Sequence, residues 1–391
     1  MNPFISLGIA LIVGILFGKL MNKLKVPAVA GYIIAGLLLG KSGFNLVNAS
    51  MIEKLSFLSD FALGIIAFNI GSELEFSVMK KLGKPIFVIA FFEAFGAFLF
   101  VTGITYLFTK NISTALILGA VSSATAPAAT VMVLREYNAK GSLTSTLLGV
   151  VAVDDAICLM IYAIASSIAK VFINHEAVTI DKILLHPIME IVLSIVVGMI
   201  LGIVLTYLIK ISKKDTELLP FIVGTIILLV GIALKFNLSP LLCAMSLGII
   251  VVNISTHSRR VFSSIESFSP PIIAAFFTLA GSRLDISLLP QIGVLGVAYL
   301  IFRILGKILG ASLGGILSNA PTVVKKYIGL GLLSQVGVAV GLAIVVSREF
   351  PGTELGSLVI TILLSTTIIT EIIGPLATKS AIIKAKEAHL S

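Results

Sequence analysis

The sequence predicts an all-α polytopic membrane protein with thirteen transmembrane helices, an inverted-topology repeat and two crossing discontinuous helices. Three observations predict it. The 391 residues are 58% hydrophobic and 12% charged, with a mean hydropathy of +1.13, more apolar surface than a soluble chain of this length could hide. Apolar runs recur along the whole length. Two of them, at matching places in the chain, are interrupted by proline, glycine and hydroxyl residues.

In order, the runs cover residues 3–21, 27–42, 51–70, 85–108, 113–134, 143–170, 186–210, 218–235, 238–253, 264–281, 288–317, 326–347 and 355–377. The first has no charge before it and lysines at its end, which fits an uncleaved anchor with an outside N-terminus better than a signal peptide. Basic residues alternate between the gaps. Eighteen of the 28 Lys and Arg fall in the odd-numbered gaps and the C-terminal tail, eight fall in the even-numbered gaps, and two, Arg303 and Lys307, lie inside the eleventh run. By the positive-inside rule the C-terminus is cytoplasmic and the N-terminus outside, in a multi-pass protein of the cytoplasmic membrane.

The net charge of +9 therefore reports orientation. It implies no nucleic-acid partner, and membrane lipid is the expected surrounding. Tryptophan is absent, so an interfacial aromatic belt rests on tyrosine. Cys158 and Cys243 both fall in apolar runs, where they read as small buried hydrophobes with no disulfide or metal-ligand spacing.

Sliding the chain against itself by 210 residues places GSELEFSV (71–78) on GSRLDISL (281–288), Glu93 on Arg303, Gly96 on Gly306 and Gly119 on Gly329. The proline-led run after Val26 matches the one after Ser239 with a shift of about three more. Matched runs are seven apart, an odd number, so the halves face opposite ways, as in secondary transporters; runs 1–6 and 8–13 are the repeats and run 7 joins them.

The fifth run contains VSSATAPAATV, with Ser122, Ser123, Thr125 and Thr130 around Pro127, which removes a backbone donor and disfavours helix before it. A simple proline kink is the other reading of that segment. The twelfth run reads GLGLLSQVGVAVG, with four glycines around Ser334 and Gln335. Two interrupted segments at corresponding positions point to a midplane site. The helices are expected to break and cross near Thr125 and Gln335, where free carbonyls and hydroxyls could coordinate an ion.

Asp154 and Asp155 lie side by side inside the sixth run. One carboxylate at membrane depth costs roughly 2.5–3.5 kcal/mol on insertion scales, and two adjacent ones also repel. Six intramembrane or near-membrane charges need partners: Glu93, Asp154, Asp155, Arg303, Lys307 and Glu371. The 210-residue register puts Glu93 and Arg303 at equivalent depths, so they are expected to form a structural ion pair. Lys307 then falls to Asp154, and Asp155 keeps no permanent partner. The competing reading, a buried bridge with no transport role, leaves two acids to one lysine.

An unpaired carboxylate among hydroxyls and carbonyls is a hard-oxygen site for Na⁺, Li⁺ or K⁺, unsuited to soft metals. One group that holds either a cation or a proton gives exchange directly, with Asp155 as the alkali-cation ligand and Asp154 beside it. Glu371 and Asp60 are secondary candidates. Asp60 could line the pathway or a wet inter-subunit cleft, and a structural role is the preferred reading. Glu73 and Glu75 read as a solvated cytoplasmic rim.

These residues (VVAVDDAICL, LGKILG in the eleventh run, SATAPAAT and the thirteen-run repeat) resemble the monovalent cation/proton antiporters, in particular the sodium/proton and Kef-type branch. The resemblance covers the whole chain. It implies the sodium/proton antiporter fold, with a dimerisation panel from residues 1–84 and 215–284, a mobile core from 85–175 and 285–391, and a linker helix in 176–214. It also implies a homodimer and elevator-type alternating access.

The family's ion-binding carboxylate matches Asp155, its companion Asp154 and the bridging lysine Lys307. Members with two aspartates are expected to be electrogenic, moving more protons inward than cations outward, and those with an Asn–Asp pair electroneutral. Some relatives carry an aspartate where this chain has Ala126. Kef-type members usually continue into a cytosolic nucleotide-binding domain, whereas this sequence stops at Ser391; nucleotide or glutathione gating is not expected, nor is any cofactor beyond the transported Na⁺, Li⁺ or K⁺ and H⁺.

A potassium/proton exchanger of the same architecture remains open, as does a sodium-coupled organic-anion symporter, which would place acidic and amide side chains at the crossing. No enzyme is expected. An intramembrane aspartyl protease needs its aspartates on different helices with a GxGD-type motif, which is absent. A channel would pass cations without an opposing proton.

Overall fold

A helix occupies each of the thirteen apolar runs in the computed structural model, which describes residues 2–24, 26–174, 185–212, 215–284, 286–351 and 353–389. Lys25, Lys182, Lys213 and Lys214 of the charge count lie outside the described residues, as do 176–184 of the predicted linker and Asp285 at a predicted boundary.

The first half comprises α1 (Pro3–Lys23), α2 (Ala28–Leu39), α3 (Ala49–Lys54), α4 (Ser56–Glu73), α5 (Phe76–Leu82), α6 (Lys84–Thr109), α7 (Ile112–Ser122), α8 (Pro127–Glu136) and α9 (Ser142–Ile173). α10 (His186–Ile211) follows. The second half comprises α11 (Asp215–Lys235), α12 (Pro240–Ile254), α13 (Ser258–Phe268), α14 (Pro270–Ser282), α15 (Leu289–Leu317), α16 (Thr322–Tyr327), α17 (Gly337–Glu349) and α18 (Leu355–Lys384). A tight 3₁₀ segment, Ile328–Leu332, continues α16.

Among the described residues, eight helices are long and apolar enough to cross a membrane, or up to ten if each sharply bent pair is one span. α2 and α12 are shorter apolar helices, and the 18-residue α4, which carries Asp60 and Glu73, is not among the eight. Over their most apolar windows α9, and α7 with α8, are 72% buried, against 22% for α1 and α10. The aspartate helix and the broken span therefore lie inside the bundle, while α1 and α10 form its apolar rim.

Local chemistry sets the breaks. Pro127 opens α8 at a position where a missing N–H costs nothing. Between α16 and α17 the chain bends by 48°, where Gly337 begins a new helix after Val336 leaves helical geometry.

Two packings repeat across the halves. α4 lies on α12, and α14, the counterpart of α4, lies on α2, the counterpart of α12. α6 lies on its own counterpart, α15. There the residues equated by the 210-residue register touch: a Cβ on Gly96 would meet the Gly306 carbonyl oxygen at 2.6 Å, and a Cβ on Gly306 would meet the Gly96 oxygen at 2.6 Å. Small residues allow the backbones this approach, and such reciprocity is what a two-fold axis between the two glycines produces. Further along, Gly310 abuts Phe92 and Gly314 abuts Ile89, so the helices run antiparallel.

Candidate ion-binding site

α9 carries Asp154 and Asp155 near its middle, and α15 carries Arg303 and Lys307 one turn apart. Asp154, Arg303, Lys307 and Glu93 are fully buried, and Asp155 is 6% exposed. Burying charges this completely is costly unless each is paired or hydrogen-bonded.

Lys307 meets that demand for two acids. Its Nζ lies 2.6 Å from Glu93 Oε2 on α6 and 3.4 Å from Asp154 Oδ2 on α9. It also donates to Thr125 Oγ1 at 2.7 Å and to the Ser123 carbonyl. The lysine thus ties α6, α9 and the break between α7 and α8 to α15.

The expected Glu93–Arg303 pair does not form; Glu93 pairs with Lys307. The register equates Glu93 with Arg303, but on antiparallel helices the two lie on opposite sides of the Gly96–Gly306 contact, three residues from it in opposite directions. At about 1.5 Å per residue that separates them by about 9 Å along the helix axis. Lys307, one residue past Gly306, lies on the Glu93 side. An inverted repeat mirrors depth about the midplane; it does not preserve it.

Arg303 instead donates to four backbone carbonyls: Nε to Ser122 at 3.0 Å, Nη1 to Leu333 at 2.6 Å, and Nη2 to Ala124 at 2.8 Å and Ser334 at 3.3 Å. These carbonyls close α7 and the 3₁₀ segment, where a helix leaves acceptors unsatisfied and its dipole negative. The guanidinium holds both broken ends at once.

The two interruptions meet where the sequence places them. Ala126 N donates to the Ser334 carbonyl at 2.9 Å, Gln335 Nε2 donates to the Val121 carbonyl at 2.9 Å, and Thr130 Oγ1 donates to the Gly331 carbonyl at 2.7 Å. Ser122 and Ser123 hydroxyls are spent on the α7 carbonyls of Gly119 and Ala120, each at 2.6 Å. Of the expected coordinating hydroxyls, Ser334 Oγ is buried with no hydrogen-bond partner among the described residues.

Asp155 Oδ1 is also buried with no hydrogen-bond partner among the described residues. Glu371, 1% exposed, has Oε1 unpartnered; the neighbouring Thr370 Oγ1 donates to the Gln335 carbonyl at 3.4 Å. Asp60 lies elsewhere, in an ion pair with Arg348.

Two contributors escaped the sequence reading. Tyr299 is fully buried and its hydroxyl pairs with Gln335 at 3.0–3.2 Å; the signal was present, since Tyr299, Arg303 and Lys307 recur every four residues on one helix face. The carbonyls of Ser123, Ala124, Leu333 and Ser334 carry no side-chain signature.

A crossed pair of broken helices, paired buried acids and a carboxylate oxygen with no partner among the described residues define a membrane ion exchanger. The family described as "Sodium/hydrogen exchanger, transmembrane" matches residues 7–379, and the chain belongs to it. It is a cation/proton transporter, not an enzyme. It is similar to a Na⁺/H⁺ antiporter of Enterococcus hirae, 24% identical over 321 residues, covering 80% of this chain and 82% of that protein. It is also similar to the ammonium/H⁺ antiporter subunit AmhT of Alkalihalophilus pseudofirmus, 23% identical over 359 residues, 88% of this chain and 84% of that one. Among solved structures, the sodium proton antiporter MjNhaP1 from Methanocaldococcus jannaschii at pH 8 superposes with a TM-score of 0.79 over 98% of each chain at 18% identity. That likeness shows the same fold.

Proposed function

We propose that this protein exchanges Na⁺ or Li⁺ for protons across the cytoplasmic membrane, with Asp155 as the group that carries either ion. One observation carries the reading. Asp155 has a buried carboxylate oxygen with no partner among the described residues, while its neighbour Asp154 shares Lys307 with Glu93. A carboxylate in that position needs a cation or a proton at all times, and binding one excludes the other. Hard oxygen ligands suit alkali cations, and Ser334 Oγ supplies a free buried oxygen at the crossing.

In this reading thirteen spans place the N-terminus outside and the C-terminus inside, and the two halves are inverted repeats. Residues 85–175 and 285–391 form the moving core. Residues 1–84 and 215–284 form the panel through which two copies dimerise, and 176–214 link them. The core carries Asp155 past the panel like an elevator. The two adjacent aspartates support electrogenic exchange, with more protons entering than cations leaving.

Potassium is the second reading. One relative is an ammonium/H⁺ antiporter subunit, and ammonium is close to K⁺ in size. Everted membrane vesicles test both: Na⁺ and Li⁺ are expected to dissipate a preset proton gradient more effectively than K⁺. The reverse order would assign the protein to potassium, and dissipation by none of the three would overturn cation exchange.

A further inference from the structure

We propose that Asp60 and Arg348 form a latch that closes the outer end of the pathway between panel and core, and that each transport cycle must break it. This rests on the panel-and-core reading above and adds a device to it.

Arg348 and Glu349 are adjacent at the end of α17, the helix that leaves the crossing. They are held in different directions. The Arg348 guanidinium pairs with the Asp60 carboxylate and donates to the Ser56 carbonyl at 3.1 Å, both on α4. The Glu349 carboxylate accepts from the Tyr162 hydroxyl at 3.1 Å and from Ser166, and pairs with Lys170 at 3.5 Å, all on α9. Three side chains therefore fasten the end of α17 to another core helix, and one guanidinium fastens it to a panel helix.

When core moves against panel, the Glu349 contacts travel together, whereas the Asp60–Arg348 pair spans the sliding surface and must open. Asp60 and Arg348 side chains are 18% and 29% exposed. A partly wet pair of this kind is weak enough to open and re-form in each cycle. A cavity of about 480 Å³ borders the pair, lined by Asp60, Leu63, Lys170, Glu190, Arg348 and Glu349 among others. Leu63 of α4, buried at the floor of this cavity one turn from Asp60, packs against Gly341 of α17 and closes the gap there. A latch above that contact is a closed door.

Labelling of Leu63→Cys tests this, in protein whose buried Cys158 and Cys243 are replaced by alanine. A membrane-impermeant maleimide is applied to each face of proteoliposomes in turn. Asp60→Asn and Arg348→Gln are each expected to raise labelling from the face bearing residues 42–48 by about fivefold, the population shift that loss of one partly buried pair allows. The exchanged pair Asp60→Arg with Arg348→Asp should return labelling toward the low level of the latched parent protein. Unchanged labelling in both single variants, or no recovery in the exchanged pair, would overturn the latch.

If either single variant misfolds, the cysteine pair Asp60→Cys with Arg348→Cys decides. Oxidation should stop ion exchange and a reductant restore it, and exchange that continues with the bridge formed would also overturn the proposal. Labelling reads the latch whichever ion is carried, so a protein that labels as expected but exchanges no cation refutes the functional reading and leaves the latch standing.

Discussion

Lys307 lies 2.6 Å from Glu93 and 3.4 Å from Asp154, so one buried ammonium serves two acids on different helices. Removing it strands both. Lys307→Ala is expected to cost about 3–5 kcal/mol, the penalty for breaking a buried pair from one side, read as a large fall in thermal midpoint. Adding Glu93→Gln and Asp154→Asn to the same chain should recover much of that loss. Strictly additive effects would show that the lysine is not shared.

Asp154→Asn removes the more distant of the two acids and leaves Lys307 paired with Glu93. Exchange should persist. The charge moved per cycle should fall, because one ionisable group fewer remains at the carrier site, and the response of transport to an imposed membrane potential should weaken. A variant with undiminished voltage response would mean that Asp154 takes no part in proton movement.

Arg303 bonds four carbonyls with three nitrogens, a fork that an ammonium cannot reproduce. Arg303→Lys is therefore expected to behave as a severe change: at least two buried carbonyls lose their donor, at about 1–3 kcal/mol each. Thermal unfolding in detergent measures it. A midpoint equal to the parent's would show that the crossing does not depend on the guanidinium.

Competition at one carboxylate fixes a pH signature. A proton must leave Asp155 before a cation binds, so the apparent KM for the cation should rise as pH falls, approaching tenfold per unit once the acid is mostly protonated. At high pH it should level off. Initial rates over a grid of pH and cation concentration check this. A KM independent of pH with a falling maximal rate would place the proton on a different group.

Much of this arrangement was legible in the sequence because membrane insertion makes polar residues conspicuous. Asp154, Asp155, Arg303 and Lys307 stand out in apolar runs, and Pro127 and the glycines around Gln335 mark breaks that do meet. The Glu93–Arg303 pairing expected from the register does not form, because equal register is not equal depth: antiparallel counterparts sit at mirrored depths, and Glu93 meets Lys307 instead. The true role of Arg303 was hidden because its partners are carbonyls, which every residue has. Arg348 looked like an ordinary basic residue at the end of a run. Only packing sets its guanidinium against Asp60, 288 positions away in the chain.

Radioactive sodium uptake by proteoliposomes holding either the parent protein or Asp155→Asn, driven by an outward proton gradient, tests the central claim most directly. The account predicts gradient-dependent uptake by the parent and none by Asp155→Asn, with both proteins folded to the same thermal midpoint or better. Uptake by Asp155→Asn at the parent's rate would contradict it.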